Sequence, residues 1–442
     1  MQRSDQSMPE PANRLGRTVP VRWLVGVLLL SAQAGAQDAP IDPMAEDSED
    51  EEVVVLDGQV LTEREVEAIQ TESQGSENPD AQRRIDRETA PDPDDARRFE
   101  LNAYGSVRLH LINAFDLEND TQDTRFGDGA SRIGATLDWR WGNGWNLFGR
   151  AESGFDVLDT FTTKGQTDSG NFFTPRLYNL SLETENVYAK IGKSWSVYYK
   201  VAGAADRFAI FGGEAAGVYN AGTDGGATGT GRADNAFQTE FYIDFERWLV
   251  LRPFNLNVQF QSGQSIPQVE GVDYSNAWSL SAWQDTSKGL GIGVAWHRSQ
   301  ITELNDPRVR NAGIDGDAQA VALAFKSTGD RWFASLVLSR LDNIETTDQN
   351  KYFNGYGGEL FGQWEFVDRW WVTAGGNWLV PEEESKQAGD YEIRYGVLGL
   401  RYSLDGLNRM LYAEWRIDDG RFTDGSRGSN EFTVGVRWDL GY

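Results

Sequence analysis

Only two histidines, His110 and His297, and no cysteine occur in the 442 residues of the chain. Thiolate and imidazole metal sites, and most histidine-based catalytic centres, therefore lack their raw material. The side chains that could do chemistry are charged ones set on alternating runs. Arg108 shares a parity with Tyr104, Ser106 and His110, opposite Val107, Leu109 and Leu111. Arg132 and Arg140 share one with Thr136, opposite Ile133, Leu137 and Trp139, and Arg150 shares one with Asn146 and Glu152. Side chains two residues apart on a strand lie on one face. Guanidinium groups so placed make a standing charge that can order water and sort small solutes, or else a plain solvated surface.

The elements that must hold these arginines are strands. From residue 98 onward, runs of two-residue alternation are broken by polar, Gly-rich stretches, and sixteen such runs can be read, near 103–111, 132–141, 145–152, 175–184, 187–193, 237–245, 254–261, 275–285, 289–298, 318–327, 331–341, 355–367, 370–379, 390–402, 409–418 and 432–442. Most approach the 9 to 11 residues with which a tilted strand crosses a bilayer. Short connections (142–144, 185–186, 285–288, 327–330, 368–369, 404–408) take turns with long polar ones (116–130, 156–174, 194–235, 262–274, 299–317, 342–354, 380–389, 419–428). Tight turns on one rim and long loops on the other describe an all-β, transmembrane antiparallel barrel, an asymmetry that a propeller or sandwich does not require. Trp139, Trp141, Trp145, Trp248, Trp370, Trp371 and Trp378 crowd near strand ends, as interfacial girdles do.

Composition agrees. Glycine (48), tryptophan (16), tyrosine (15) and phenylalanine (22) are plentiful, and a mean hydropathy of −0.52 excludes helical membrane proteins while leaving barrels open, because their lipid face is hidden in alternation. A net charge of −27 excludes a nucleic-acid partner, which needs a basic footprint. Residues 38–97 hold 20 acidic and 5 basic residues with almost no aromatics, the composition of a solvated, largely disordered extension. Within it, 53–56 and 59–61 flank Asp57-Gly58 as a small hairpin, and Thr62 with Glu65 forms a capping box. Before it, Arg14, Arg17 and Arg22 precede the short apolar run 23–30 and Ala34-Gly35-Ala36, which reads as an export signal ending at 36. The expected division is thus 1–36 signal, 37–97 acidic periplasmic extension and 98–442 barrel.

The chain resembles the Gram-negative general porins, trimeric sixteen-stranded outer-membrane channels, over roughly 100–442. The carrying pieces are Ala103-Tyr104-Gly105-Ser106-Val107-Arg108, Ser131-Arg132-Ile133-Gly134, Gly142-Asn143-Gly144, Ile191-Gly192-Lys193 and the aromatic last strand. The resemblance implies a long third loop, 194–235, folded into the lumen so that its carboxylates face a wall of arginines. Phe211-Gly212-Gly213-Glu214 resembles the family's aromatic-Gly-Gly-acid stretch, which makes Glu214 the implied loop carboxylate, with Asp224 or Asp234 able to serve. Ile210 stands where family members often carry another acid. Arg132, Arg176 and Arg232 match the wall arginines, with Arg108, Arg140 and Arg150 as further wall candidates. Arg176 shares the parity of Tyr178, Leu180 and Leu182, so it reaches the lumen only across a β-bulge. The resemblance also implies a homotrimer in outer-membrane lipid, passage of small hydrophilic solutes, no cofactor and no metal.

Three function classes follow. A water-filled channel for passive diffusion leads, with a sugar- or carboxylate-selective channel as its variant; Tyr104, Tyr188, Tyr242 and Trp283 could form a stacking track. An enzyme barrel would need a serine set against His110 or His297, and a soluble β-protein would extract without detergent. Residues 98–442 carry 46 acidic and 32 basic residues, most acids being in loops; loop charge favours cations at the entrance while the arginines favour anions at the waist, and the balance leans to a cation preference. In the last strand Phe432, Val434, Val436, Trp438, Leu440 and Tyr442 share one face, the terminal aromatic being the kind that the barrel-assembly machinery recognises. Deleting Tyr442 is expected to lower the yield of membrane-inserted barrel while leaving single-channel conductance unchanged; wild-type yield on quantitative blots of membrane fractions would count against the barrel reading.

Overall fold

A computed structural model describes residues 53–56, 59–62, 98–116, 121–140, 144–158, 173–184, 187–243, 254–286, 289–405 and 408–441. The expected export signal, Glu65 of the capping box, Trp141, Trp248 and Tyr442 lie outside the described residues. The small hairpin is present, with Val53–Leu56 antiparallel to Gln59–Thr62.

The remaining strands are β1 (Arg98–Asp116), β2 (Thr121–Asp128), β3 (Arg132–Arg140), β4 (Asn146–Gly154), β5 (Thr174–Glu183) and β6 (Val187–Trp195). After the longest connection come β7 (Arg232–Ile243), β8 (Phe254–Ser265), β9 (Asp273–Asp285), β10 (Leu290–Ser299), β11 (Ala318–Gly329) and β12 (Trp332–Thr346). The chain ends with β13 (Tyr352–Val367), β14 (Trp370–Pro381), β15 (Ile393–Asp405), β16 (Arg409–Asp418) and β17 (Asn430–Leu440). Each pairs antiparallel with its sequence neighbour, save that β1 meets β2 along its second half and β3 along its first. β2 and β3 thus occupy one position, and the closed barrel has sixteen staves. The stretch 116–130, expected as a loop, is largely the outer part of that β1–β2 hairpin. Closure comes from β17 on β1, with Leu440 opposite Gly105, Val434 opposite Leu111 and Asn430 opposite Phe115. Every stave then has two partners and no edge is left to recruit another chain.

Alternation explains the two faces. On β17, Phe432, Val434, Trp438 and Leu440 are 42, 40, 41 and 50% exposed, while Thr433 and Asp439 between them are buried. Ile133, Leu180, Ile191, Phe237, Val294, Leu398 and Trp415 continue the apolar outer wall. Trp139, Trp145 and Trp370 face outward with it, but Trp371 takes the opposite parity and is buried inside.

The connection 196–231 turns into the barrel through a short helix, α1 (Tyr199–Ala202), and packs against β8 to β16. There Tyr198, Val201 and Val218 join Leu341, Ile344, Tyr352 and Phe361 of the wall, together with Ile266, Val309 and Ile314 from neighbouring long connections. One side of the interior is therefore a hydrophobic core. Close approach is needed: a Cβ on Gly357 would lie 1.7 Å from the Ala215 carbonyl oxygen. β5 and β6, which send Leu177 and Trp195 into this core, carry irregularities. Glu152 pairs with Leu177 and Ser153 with Pro175, so Arg176 is an extra residue in a bulge. Gly192, beside a second register shift, has φ +114, and a Cβ there would lie 2.2 Å from the Tyr178 carbonyl oxygen. Gly192→Ala is expected to cost about 1–3 kcal/mol, the usual toll for a side chain forced into this region. Unchanged unfolding midpoints in denaturant would remove strain at Gly192 from the account.

Candidate functional site

The inward faces of β17, β1, β3, β4 and β5 carry a continuous charged strip. Its first group spans β17 and β1, where Arg437 stands opposite Arg108. Arg437 Nε donates to Asp439 Oδ2 at 2.7 Å, Ser106 Oγ donates to the same carboxylate, and Arg108 Nε donates to Ser106 Oγ at 3.0 Å. The second group adjoins it, since Ser106 is also the cross-strand partner of Arg132. Arg176 Nε donates to Glu152 Oε1 at 2.9 Å, Tyr104 donates its hydroxyl to Oε2 at 2.9 Å, and Arg132 Nε lies 3.9 Å from Oε2. Arg150 completes the strip with its guanidinium 5.7 Å from the Tyr104 ring centre and 5.8 Å from that of Phe148. Two groups of like composition result, each a carboxylate shared by hydroxyl and guanidinium donors. Such charge-assisted bonds contribute about 1.5–3 kcal/mol apiece and hold the arginines in place.

Facing this strip is the infolded connection, whose buried backbone needs hydrogen-bond partners. Wall carboxylates supply them. Glu414 on β16 accepts from the backbone N–H of Ala209 at 2.6 Å and of Ile210 at 3.0 Å, with Phe211 at 3.5 Å. Glu359 on β13 accepts from Ala215 at 2.8 Å and Ala216 at 3.0 Å. Arg401 donates to the Arg207 carbonyl at 2.6 Å and lies 3.4 Å from Glu414. The returning limb is held by Gln259 and Gln261 of β8, which donate to the carbonyls of Gly229 at 2.9 Å and Gly226 at 2.8 Å.

The expected site residues thus fall into separate places. Arg108, Arg132, Arg150 and Arg176 come together on the strip, Arg176 by way of its bulge. Arg140 is on the same face but close to the short-turn rim, 3.4 Å from Asp138. Arg232 opens β7, 3.4 Å from Asp224 and with its guanidinium 5.1 Å from the Trp195 ring centre. Asp224 and Asp234 both bind Lys193, at 2.9 and 2.6 Å, where the connection rejoins the wall. Glu214 lies on the far side, its backbone N–H donating to Asn377 at 3.3 Å and its carboxyl in the field of Arg416. Burial pushes that carboxyl above the usual range, against the pull of Arg416 and Tyr395. Phe432 and Trp438 stand on the outer wall, and Tyr442 is outside the described residues. Sequence reasoning missed Glu152, Asp439, Arg437, Glu359 and Glu414 as functional groups, although Glu152, Arg437 and Asp439 were already on polar faces.

No protein-family model matches the chain, and no curated protein matches it. Solved structures do. OmpF of Salmonella typhi in complex with daunomycin matches with a TM-score of 0.63 at 16% identity, covering 78% of this chain and 99% of that one. The anion-selective porin of Comamonas acidovorans gives 0.55 at 13%, covering 78% and 100%. The outer-membrane channel DcaP of Acinetobacter baumannii gives 0.55 at 14%, covering 77% and 97%. At these identities the likeness is one of fold, and the chain has the closed antiparallel barrel fold of outer-membrane porins.

Removing Glu414 strips the connection of its main backbone acceptor. Glu414→Ala is expected to give larger, noisier unitary currents in planar bilayers, with Glu414→Gln in between. Wild-type amplitude and noise in the alanine variant would show that the loop is seated by other contacts.

Proposed function

We propose that this protein is an outer-membrane channel of a Gram-negative bacterium, through which small hydrophilic solutes and ions diffuse passively. The carrying observation is a closed sheet, apolar outside and charged inside, whose interior is narrowed by one connection packed on half of the wall. An apolar outer face suits lipid, and an inner face of charged and amide groups suits water. The likeness to the Comamonas porin and to the Acinetobacter outer-membrane channel supports this reading. Residues 1–36 would direct export, 37–97 would lie in the periplasm, and the resemblance to general porins supports a homotrimer inserted by the barrel-assembly machinery.

In this reading Arg132 and Arg176, with Arg108 and Arg150, line the narrow part, and Glu214 and Asp224 set charge elsewhere along the connection. No catalytic step and no cofactor enter. His297 does touch serines, with Nδ1 2.8 Å from Ser279 Oγ and Nε2 2.9 Å from Ser299 Oγ. Ser299 Oγ donates to the Thr228 carbonyl at 2.7 Å, and His297, Ser279 and Ser299 are all enclosed. That arrangement staples the returning limb to the wall; a nucleophile needs access to substrate.

Purified protein in planar bilayers should produce stepwise conductance that rises in proportion to bulk salt. A membrane that stays silent at protein doses giving full insertion would sink the channel reading.

A further inference from the structure

We infer that the outer wall carries a binding site for a long-chain carboxylate, its chain lying in a notch across β5, β6 and β7 and its head reaching Arg150. The inference goes beyond passive diffusion, since it needs the barrel to stand in lipid but not to conduct. The notch, of about 510 Å³, is lined by Tyr178, Leu180, Ile191 and Phe237 of the outer face together with Arg150 and Asn179, whose parity is that of the inner face. Clefts that hold small molecules commonly measure about 300–1,000 Å³.

Register explains why the two faces meet there. Arg150, Asn179, Gly192 and Ala236 stand opposite one another in a single row across β4 to β7. Two of the four have nothing beyond a Cβ, so the inner face is bare beside Arg150. The next step along the sheet is loosened as well. The β5–β6 ladder ends with Tyr178 opposite Lys193, and the β6–β7 ladder passes from Gly192 opposite Ala236 to Ser194 opposite Ala233, which sets Lys193 against both Asp234 and Asn235. Asn235 has φ +49, and an extra residue of this kind breaks the ladder and bends its strand. A second void, of about 10 Å³, is lined by Phe148, Leu177 and Trp195 and by the same Arg150 and Asn179. Those two side chains are thus shared by the notch and by the inner side of the wall. Asn179 is fixed by donating from Nδ2 to the Lys193 carbonyl at 3.2 Å.

The lining names the occupant. Tyr178, Leu180, Ile191 and Phe237 are 42 to 55% exposed, and in lipid such a surface takes a hydrocarbon chain. Arg150 takes the head. Its Nε is buried without a hydrogen-bond partner among the described residues, while its guanidinium lies by the rings of Tyr104 and Phe148. A buried donor left unpaired favours any acceptor that reaches it, and a guanidinium matches the two oxygens of a carboxylate.

Equilibrium binding of radiolabelled dodecanoate to the full chain in phospholipid nanodiscs, with empty nanodiscs subtracted, tests the site. Wild type should bind dodecanoate saturably against the phospholipid background and dodecanol, which lacks the charge, far more weakly. Arg150→Gln should raise the dissociation constant for dodecanoate at least about ten-fold, the change that loss of one charge-assisted hydrogen bond brings. Ile191→Trp, which fills the notch from the lipid side, should abolish binding, and Val294→Trp elsewhere on the outer wall should leave it unchanged. Should Arg150→Gln fail to assemble, dodecanol and Ile191→Trp carry the test. Binding that does not saturate, dodecanol bound as tightly as dodecanoate, or Ile191→Trp behaving as wild type each overturns the site. So does a wild type that binds no dodecanoate while Ile191→Trp dissociates its oligomer in native mass spectrometry, which would make the notch a contact between copies. None of these results touches conductance, so the channel reading stands or falls separately.

Discussion

Closure of the sheet is the constraint on which everything else here depends. A strand at an edge exposes a row of unpaired backbone groups, and in an apolar surrounding each would carry several kcal/mol of penalty. Pairing β17 with β1 removes both edges at once, and the register Val434 opposite Leu111 sets which side chains meet. Once that register holds, the period of two sends Phe432, Trp438 and Leu440 outward on β17 and Asp439 and Arg437 inward. A one-residue slip would reverse every one of them. The junction of the charged strip is thus a consequence of closure, because Arg437 meets Arg108 and Asp439 meets Ser106 only in this register, while Ser106 meets Arg132 through the pairing of β1 with β3.

A closed barrel of this width creates a second problem, an interior too large for wall side chains to fill. The connection 196–231 solves it by folding inward, but its backbone then leaves water and must find partners. Glu414 and Glu359 meet that need with carboxylates that each accept at least two backbone N–H groups. The same groups fix where the loop cannot go. Held against β8 to β16 and meeting Leu177 of β5 and Trp195 of β6, it leaves β1, β3 and β4 outside its core.

Much of this was legible in the sequence because alternation is a strong signal when repeated. The sixteen staves, the alternating connection lengths and the pairing of last strand with first all follow from period and spacing, with the β1–β2 hairpin as the exception. Thr121–Asp128 lacks apolar alternation, with Phe126 its one large apolar residue, and owes its form to its pairing with β1. Arg132 was readable from parity alone. Arg176 was readable only with a bulge assumed, because the extra residue that turns it inward is a property of pairing with β4 and leaves no mark on β5 itself. Glu414 and Glu359 resemble any inward carboxylate until the loop backbone is set against them. Arg232 and Asp224 match by type, yet they serve the junction where the loop rejoins the wall, a placement that depends on Lys193 and a second register shift.

Charge in this molecule therefore has two uses, separated by what the opposite partner is. Where a carboxylate meets backbone N–H groups, as at Glu414 and Glu359, its charge is absorbed in holding a loop. Where it meets guanidiniums, as at Glu152 and Asp439, it orders them without cancelling them, because the cations outnumber it. A sum over composition mixes the two and reads the barrel as acidic. Counted over the two linked groups alone, five guanidiniums stand with two carboxylates, so the local balance of this part of the inner wall is opposite in sign to that of the whole barrel.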